Sequence, residues 1–212
     1  MRMDRRRFVV GGLSVAAVSP ATGQGTPKAW LMQLISAAKA QIGVTTIYDP
    51  AYRRMPFPGG DVPRDRGVCT DVVVRAYRDA FGVDLQALVN QDMHAHFARY
   101  PTRWGLRAPD ANIDHRRVPN LRVFFARHGG EQPVPVALDE WQPGDLVTQE
   151  LSPPGVLKSA PPHIGIVSDQ FVAGTLRRQV IHNIGAGTRA EDILGQWRIT
   201  GRYRWPPPTQ PG

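Results

Sequence analysis

The chain has a single cysteine, only three lysines, and no apolar run long enough to cross a bilayer. With Cys69 alone, no internal disulfide can form and no Cys-based zinc cluster can be assembled, so a hydrophobic core must hold the fold. The lysines are Lys28, Lys39 and Lys158, and arginine carries the rest of the positive charge. Those arginines are scattered and form no basic stripe interleaved with aromatics, which argues against a nucleic-acid partner. The most apolar N-terminal stretch, Gly11 to Val18, is too short for a permanent span. No internal repeat is visible, so solenoid and propeller architectures are set aside.

What is present points to one exported domain. At 212 residues and 42% hydrophobic content the chain can bury one sizeable core. Its 21 glycines and 20 prolines imply long ordered loops. Residues 1–21 carry Asp4-Arg5-Arg6-Arg7-Phe8-Val9-Val10, a short apolar run, and small residues around Pro20. That order is the pattern of a twin-arginine signal, either cleaved near Ala21 or kept as an anchor, and places the protein in the periplasm or otherwise outside the cytoplasm. The formal charge of +8 falls to about +5 once Arg2, Arg5, Arg6, Arg7 and Asp4 are removed. A moderately basic exported protein suits an anionic envelope polymer, or the charge serves solubility alone. After a linker at 22–28, residues 29–205 read as one domain, and 206–212 as a Pro-rich tail.

Within the domain, helical spacing comes first. Trp30, Leu31, Leu34, Ile35, Ala38 and Ile42 mark one helix. Val72, Val73, Ala76, Tyr77 and Ala80 mark a second, with Gly67 just ahead of it. Leu85 to Ala98 reads as a third, and Pro119 to Phe125, ended by Gly129-Gly130, as a short fourth. From Trp141 on, short β-rich runs follow: Asp145 to Thr148, His163 to Val167, Gln179 to Ile184, Trp197 to Tyr203. Helices followed by an antiparallel sheet imply an α+β fold.

Cys69 stands at the start of the second helix, where free backbone N–H groups and the helix dipole favour a thiolate. A long turn-rich segment, Thr45 to Gly67, leads into it, and loops of that length are usually functional. A thiol nucleophile needs a base and a group that orients the base. His163 opens one strand and His182 nears the end of the next, so a hairpin between them brings both to one end of the sheet. His94 and His96, two apart on a helix, point in different directions and make poor co-ligands. No metal and no cofactor are expected, and a His/Asp metallohydrolase is the weakest enzymatic alternative.

The ordered motifs Gly67-Val68-Cys69-Thr70-Asp71-Val72, Pro143-Gly144-Asp145-Leu146-Val147, His163-Ile164-Gly165-Ile166-Val167 and Val180-Ile181-His182 resemble those of the papain-like, NlpC-type cell-wall cysteine peptidases. With Pro58 to Pro63, Asn112 to Asn120 and His182 to Gly187, nearly the whole mature chain looks like an exported bacterial family known mainly as a domain of unknown function. The resemblance implies a papain-like α+β fold with N-terminal helices packed on an antiparallel sheet. It implies Cys69 as nucleophile, His163 as general base and later acid, and His182 as the orienting group.

The Cys69 backbone N–H and an upstream tyrosine, Tyr48 or Tyr52, would stabilise the oxyanion, with Asp71 and Asn183 as supporting residues. Asp71 also reads as a first-turn carboxylate that suits the helix dipole. Asp114, His115, Arg116 and Arg117 read either as an internal salt-bridge network or as a binding site for a substrate carboxylate. The chain departs from the resemblance in having Val68-Cys69-Thr70 for the usual Asp-Cys-Ser, and a longer connection between the histidines. The expected activity is hydrolysis of an amide bond in peptidoglycan stem peptides. An envelope-binding module and an acyltransferase on the same scaffold are the alternatives.

Overall fold

The computed structural model describes residues 28–207 apart from 154 and 156–159. The signal segment, the linker up to residue 27 and residues 208–212 of the tail lie outside the described residues. Four helices precede most of the sheet: α1 (Ala29–Lys39), α2 (Cys69–Phe81), α3 (Leu85–His96) and α4 (Val118–Arg127). A two-stranded parallel ladder joins β1 (Ile47–Tyr48) to β2 (Arg66–Gly67). The main sheet comprises β3 (Glu131–Gln132), β4 (Leu146–Glu150), β5 (Pro162–Phe171), β6 (Arg178–Asn183), β7 (Thr188–Glu191) and β8 (Arg198–Tyr203). Its order is β3-β8-β4-β5-β6-β7, with every pairing antiparallel. The fold is α+β, helices on an antiparallel sheet.

The alternation of side chains along a strand divides the core into two layers. Leu146, Ile164, Ile166 and Ile181 face the helices, where Val72, Val73, Ala76 and Tyr77 of α2 cover them. Val147, Val167 and Val180 face the other way, onto Trp141, Ile193 and Leu194. Because β4, β5 and β6 are covered on both sides, their sequences are apolar at both parities, as in any doubly buried strand. Each of these aliphatic side chains contributes about 1.5–3 kcal/mol by leaving water. The buried Tyr77 phenol satisfies its hydrogen on the Trp205 carbonyl at 2.7 Å, so the end of the domain closes over α2.

Two edge strands, β3 and β7, have no counterpart in the hydrophobic pattern. Both are short and polar, and their order comes from the ladders to β8 and β6 rather than from side chains of their own. Charged residues on such edges also discourage pairing with other chains.

The long segment between α1 and α2 is not irregular in effect. Arg75 of α2, fully buried, donates to the Asp61 carboxylate, to Thr45 Oγ1 and to the carbonyls of Val62, Pro63 and Arg66. One guanidinium thereby takes up backbone acceptors that a loop of this length would otherwise bury unpaired. With the loop folded back on itself, β1 lies alongside β2, and Tyr48 registers with Gly67, two residues before Cys69.

Candidate active site

Helix α2 begins at Cys69 for identifiable local reasons. Val68 is extended (φ −119°, ψ −176°) and its amide donates to Asp71 Oδ2 at 2.7 Å. Gly67 is required because a Cβ there would lie 2.9 Å from Asp71 Oδ2. Gly82, at φ 67°, ends the helix with its amide on the Arg78 carbonyl. Asp71 also accepts two bonds of 2.9 Å from Arg116, a buried bidentate pair. Arg116 in turn donates to the Asp49 and Ala51 carbonyls, and its own carbonyl accepts from Thr70 Oγ1. Asp71 and Arg116 thus tie the helix start, the loop after Tyr48 and the 112–120 segment into one node. Asn183 completes the frame by donating to the Gly67 carbonyl at 3.0 Å, which anchors the same point to β6.

The two histidines meet as the hairpin reading requires. His163 Nε2 and His182 Nδ1 are 3.0 Å apart, and His182 Nε2 lies 3.0 Å from Glu191 Oε2 on β7. A carboxylate accepts only, so it places the His182 hydrogen on Nε2. His182 Nδ1 is then an acceptor, His163 Nε2 carries a hydrogen, and His163 Nδ1 is left as a free base. Trp197 packs edge-on against both rings, with centroids 5.8 and 6.4 Å away. Sequence reasoning misses Glu191. It lies nine residues from His182 on a strand with no hydrophobic signature, and only the β6–β7 register, His182 opposite Arg189, brings it within reach.

The backbone amides of Ile164, the neighbour of His163 in β5, and of Thr70 and Cys69 itself favour the thiolate form of the Cys69 sulfur. Among the described residues no hydrogen bond joins it directly to His163. The expected thiolate is not what the surroundings favour. Burial pushes the Cys69 thiol up to about 11, the backbone donors offset this only in part, and Asp71 adds to the rise. Burial drives His163 the other way, to about 3, with His182 contributing. The resting pair is therefore neutral thiol and neutral imidazole. Iodoacetamide alkylation of Cys69 should accordingly keep rising by about tenfold per pH unit from pH 7 to pH 9. A plateau below pH 8.5 would show an activated thiolate instead.

A cleft of about 250 Å³ opens beside Cys69. Tyr48, Pro50, Val68, Trp104, Arg117 and Pro162 are among the residues that line it. Of the two candidate tyrosines, Tyr48 is therefore the one next to Cys69. Its phenol is raised by burial, with Cys69 and Asp71 adding to the shift, so it keeps its hydrogen at neutral pH. Tyr52 instead donates to Asp110 and accepts from Asn112.

The Asp114–Arg117 cluster divides in two. Asp114, His115 and Arg116 are buried, with Arg116 committed to Asp71, while Arg117 pairs with Asp114 at 3.0 Å and reaches the cleft. Burial also lowers His115 to about 4. Asp71 and Asn183 are both engaged in holding the helix start, Asp71 through the Val68 amide and Asn183 through the Gly67 carbonyl. Among the described residues no group of His, Cys, Asp and Glu has the arrangement of a metal site, and no helix is long and apolar enough to cross a membrane.

The chain is similar in fold to a solved N-acetylmuramoyl-L-alanine amidase from Bacteroides uniformis. That likeness has a TM-score of 0.51 at 13% identity and covers 84% of this chain and 99% of the amidase. In sequence it is 49% identical over 175 residues to the uncharacterized protein YijF of Escherichia coli (strain K12), covering 82% of this chain and 81% of that protein. Residues 35–205 match the family model described as domain of unknown function DUF1287, and the chain belongs to that family.

Proposed function

We propose that this protein is an exported, papain-like cysteine hydrolase that cleaves an amide bond in peptidoglycan stem peptides. One observation carries the reading: a helix-start cysteine packs in one cluster with Ile164, the neighbour of His163, whose free nitrogen is set by a His182–Glu191 chain. The fold shared with an N-acetylmuramoyl-L-alanine amidase supports it. In the proposed reaction the substrate carbonyl enters the cleft and the Cys69 proton passes to His163 Nδ1 as the sulfur attacks. His163 is then a cation, and its Nε2–H donates into the His182–Glu191 chain, which offsets the cost of charging a buried ring. The oxyanion is held by the Cys69 amide and the Tyr48 hydroxyl. His163 next gives its proton to the leaving amine, which departs and leaves a thioester. Water attacks the thioester while His163 takes its proton, and the acid is released as Cys69 regains its hydrogen.

Digestion of purified sacculi, with products separated and weighed, tests this. Wild type should release peptide fragments that Cys69→Ser does not, and equal release by the two would sink the proposal. A second reading, a wall-binding module or an acyltransferase, draws on the protonated state of the buried thiol. Binding to sacculi that survives Cys69→Ala without any wild-type cleavage would favour the module. Acyl transfer to an added amine at the expense of hydrolysis would favour the transferase.

A further inference from the structure

The cleft beside Cys69 is lined by three arginines, Arg103, Arg116 and Arg117, and by no aspartate or glutamate. Their charges are disposed differently. Arg116 is matched by Asp71 in a pair that is buried on both sides. Arg117 gives one nitrogen, Nη1, to buried Asp114 and lies with its guanidinium 4.0 Å over the Trp104 ring. Asp110 also faces Arg117, but its carboxylate is engaged by Asn112 and Tyr52. The remaining Arg117 donors, Nε and Nη2, have no protein partner among the described residues. Arg103 has no acidic partner among them either, and its guanidinium sits 5.7 Å from the centroid of the same indole. The balancing carboxylates thus stand behind the cleft wall, and what the wall presents is a flat aromatic surface carrying two guanidinium groups.

We propose that this wall binds an acidic peptide segment, with a substrate carboxylate received by Arg103 and Arg117 against the Trp104 face while Cys69 addresses an amide one or two residues away. Guanidinium groups stacked on an aromatic ring lose little freedom on forming a forked pair with a carboxylate, which makes them selective for it over an amide. An uncharged or basic segment would leave both donors unpaired in the cleft. The position of the cut rests on the hydrolase reading; the preference for a carboxylate does not.

The test uses the Cys69→Ala protein, which holds peptide without turnover, and calorimetric titration with two stem peptides that differ only in whether the glutamyl α-carboxyl is free or amidated. The free acid is expected to bind about tenfold more tightly, the ratio that one hydrogen bond to a charged group supplies. Arg103→Gln, a change at an exposed residue without an ion-pair partner, should reduce that ratio to within about twofold while the melting temperature stays unchanged. Equal affinity for the two peptides, no measurable binding of either, or an undiminished ratio in Arg103→Gln would each overturn the inference. Discrimination that persists although the wild type cleaves nothing would sustain the carboxylate site and remove the hydrolase. Cleavage of both peptides at one rate and with one affinity would do the reverse.

Discussion

Replacing His163 by alanine is expected to lower peptide turnover by about 10²- to 10⁴-fold, the range that a positioned general base and acid supplies. The loss should fall on kcat, because His163 is buried and is not among the residues that line the cleft beside Cys69. In the proposed mechanism alanine removes both the proton acceptor for the thiol and the donor for the leaving amine, so acylation and deacylation should suffer together. Glu191→Gln separates orientation from proton transfer. A glutamine amide can either donate to or accept from His182 Nε2, so the tautomer that frees His163 Nδ1 is no longer imposed. We expect a smaller fall, about tenfold, with a shifted pH profile and recovery in Glu191→Asp. A purely structural Glu191 would leave the pH profile of the residual activity in place.

Arg116→Ala should cost about 3–5 kcal/mol of stability, the usual effect of removing one member of a buried ion pair. Asp71 would be left buried with its Arg116 bonds broken, and the carbonyls of Asp49 and Ala51 would lose their donors. Thermal or urea unfolding measures this directly. The same variant should lose activity at temperatures where it is still folded, since the node holds both the start of α2 and the loop that follows Tyr48. Replacing Asp71 and Arg116 together by apolar residues of similar volume should cost less than either single change, because no unpaired charge then remains. A single-variant cost under about 1 kcal/mol would mean that the pair does not act as a buried strut.

The parts of this fold that sequence makes legible are those with a strong period. The α2 face from Val72 to Tyr77 and the apolar strands around Ile164 and Ile181 are read directly from spacing, and the histidine pair follows from the hairpin between those strands. Contacts between distant, unpatterned residues are not legible in this way. Asp71 and Arg116 are 45 residues apart, and Arg75 collects acceptors from across the preceding loop, so no local signal marks either. Glu191 stays hidden because its strand exists only through pairing with β6. Asp114 to Arg117 look like one charged cluster in the chain, yet the 3-10 turn at Asp114–Arg116 buries three of them, and of the two arginines at the cleft Arg116 is committed to Asp71.

The thiolate expectation misjudges a balance of magnitudes. A helix N-terminus favours an anion by about 0.3–1 kcal/mol at an exposed site, which is less than the desolvation that a buried sulfur experiences. Cys69 is 6% exposed, and burial wins.

The proposed mechanism requires Cys69 to form a covalent bond to the substrate acyl group. Intact-mass spectrometry of the protein, acid-quenched while it turns over a stem peptide, detects that bond. The expected result is a mass increase equal to the acyl fragment, mapped to the peptide containing Cys69 and absent from Cys69→Ala. Peptide hydrolysis that proceeds undiminished in Cys69→Ala, with no adduct in the wild type, would contradict it.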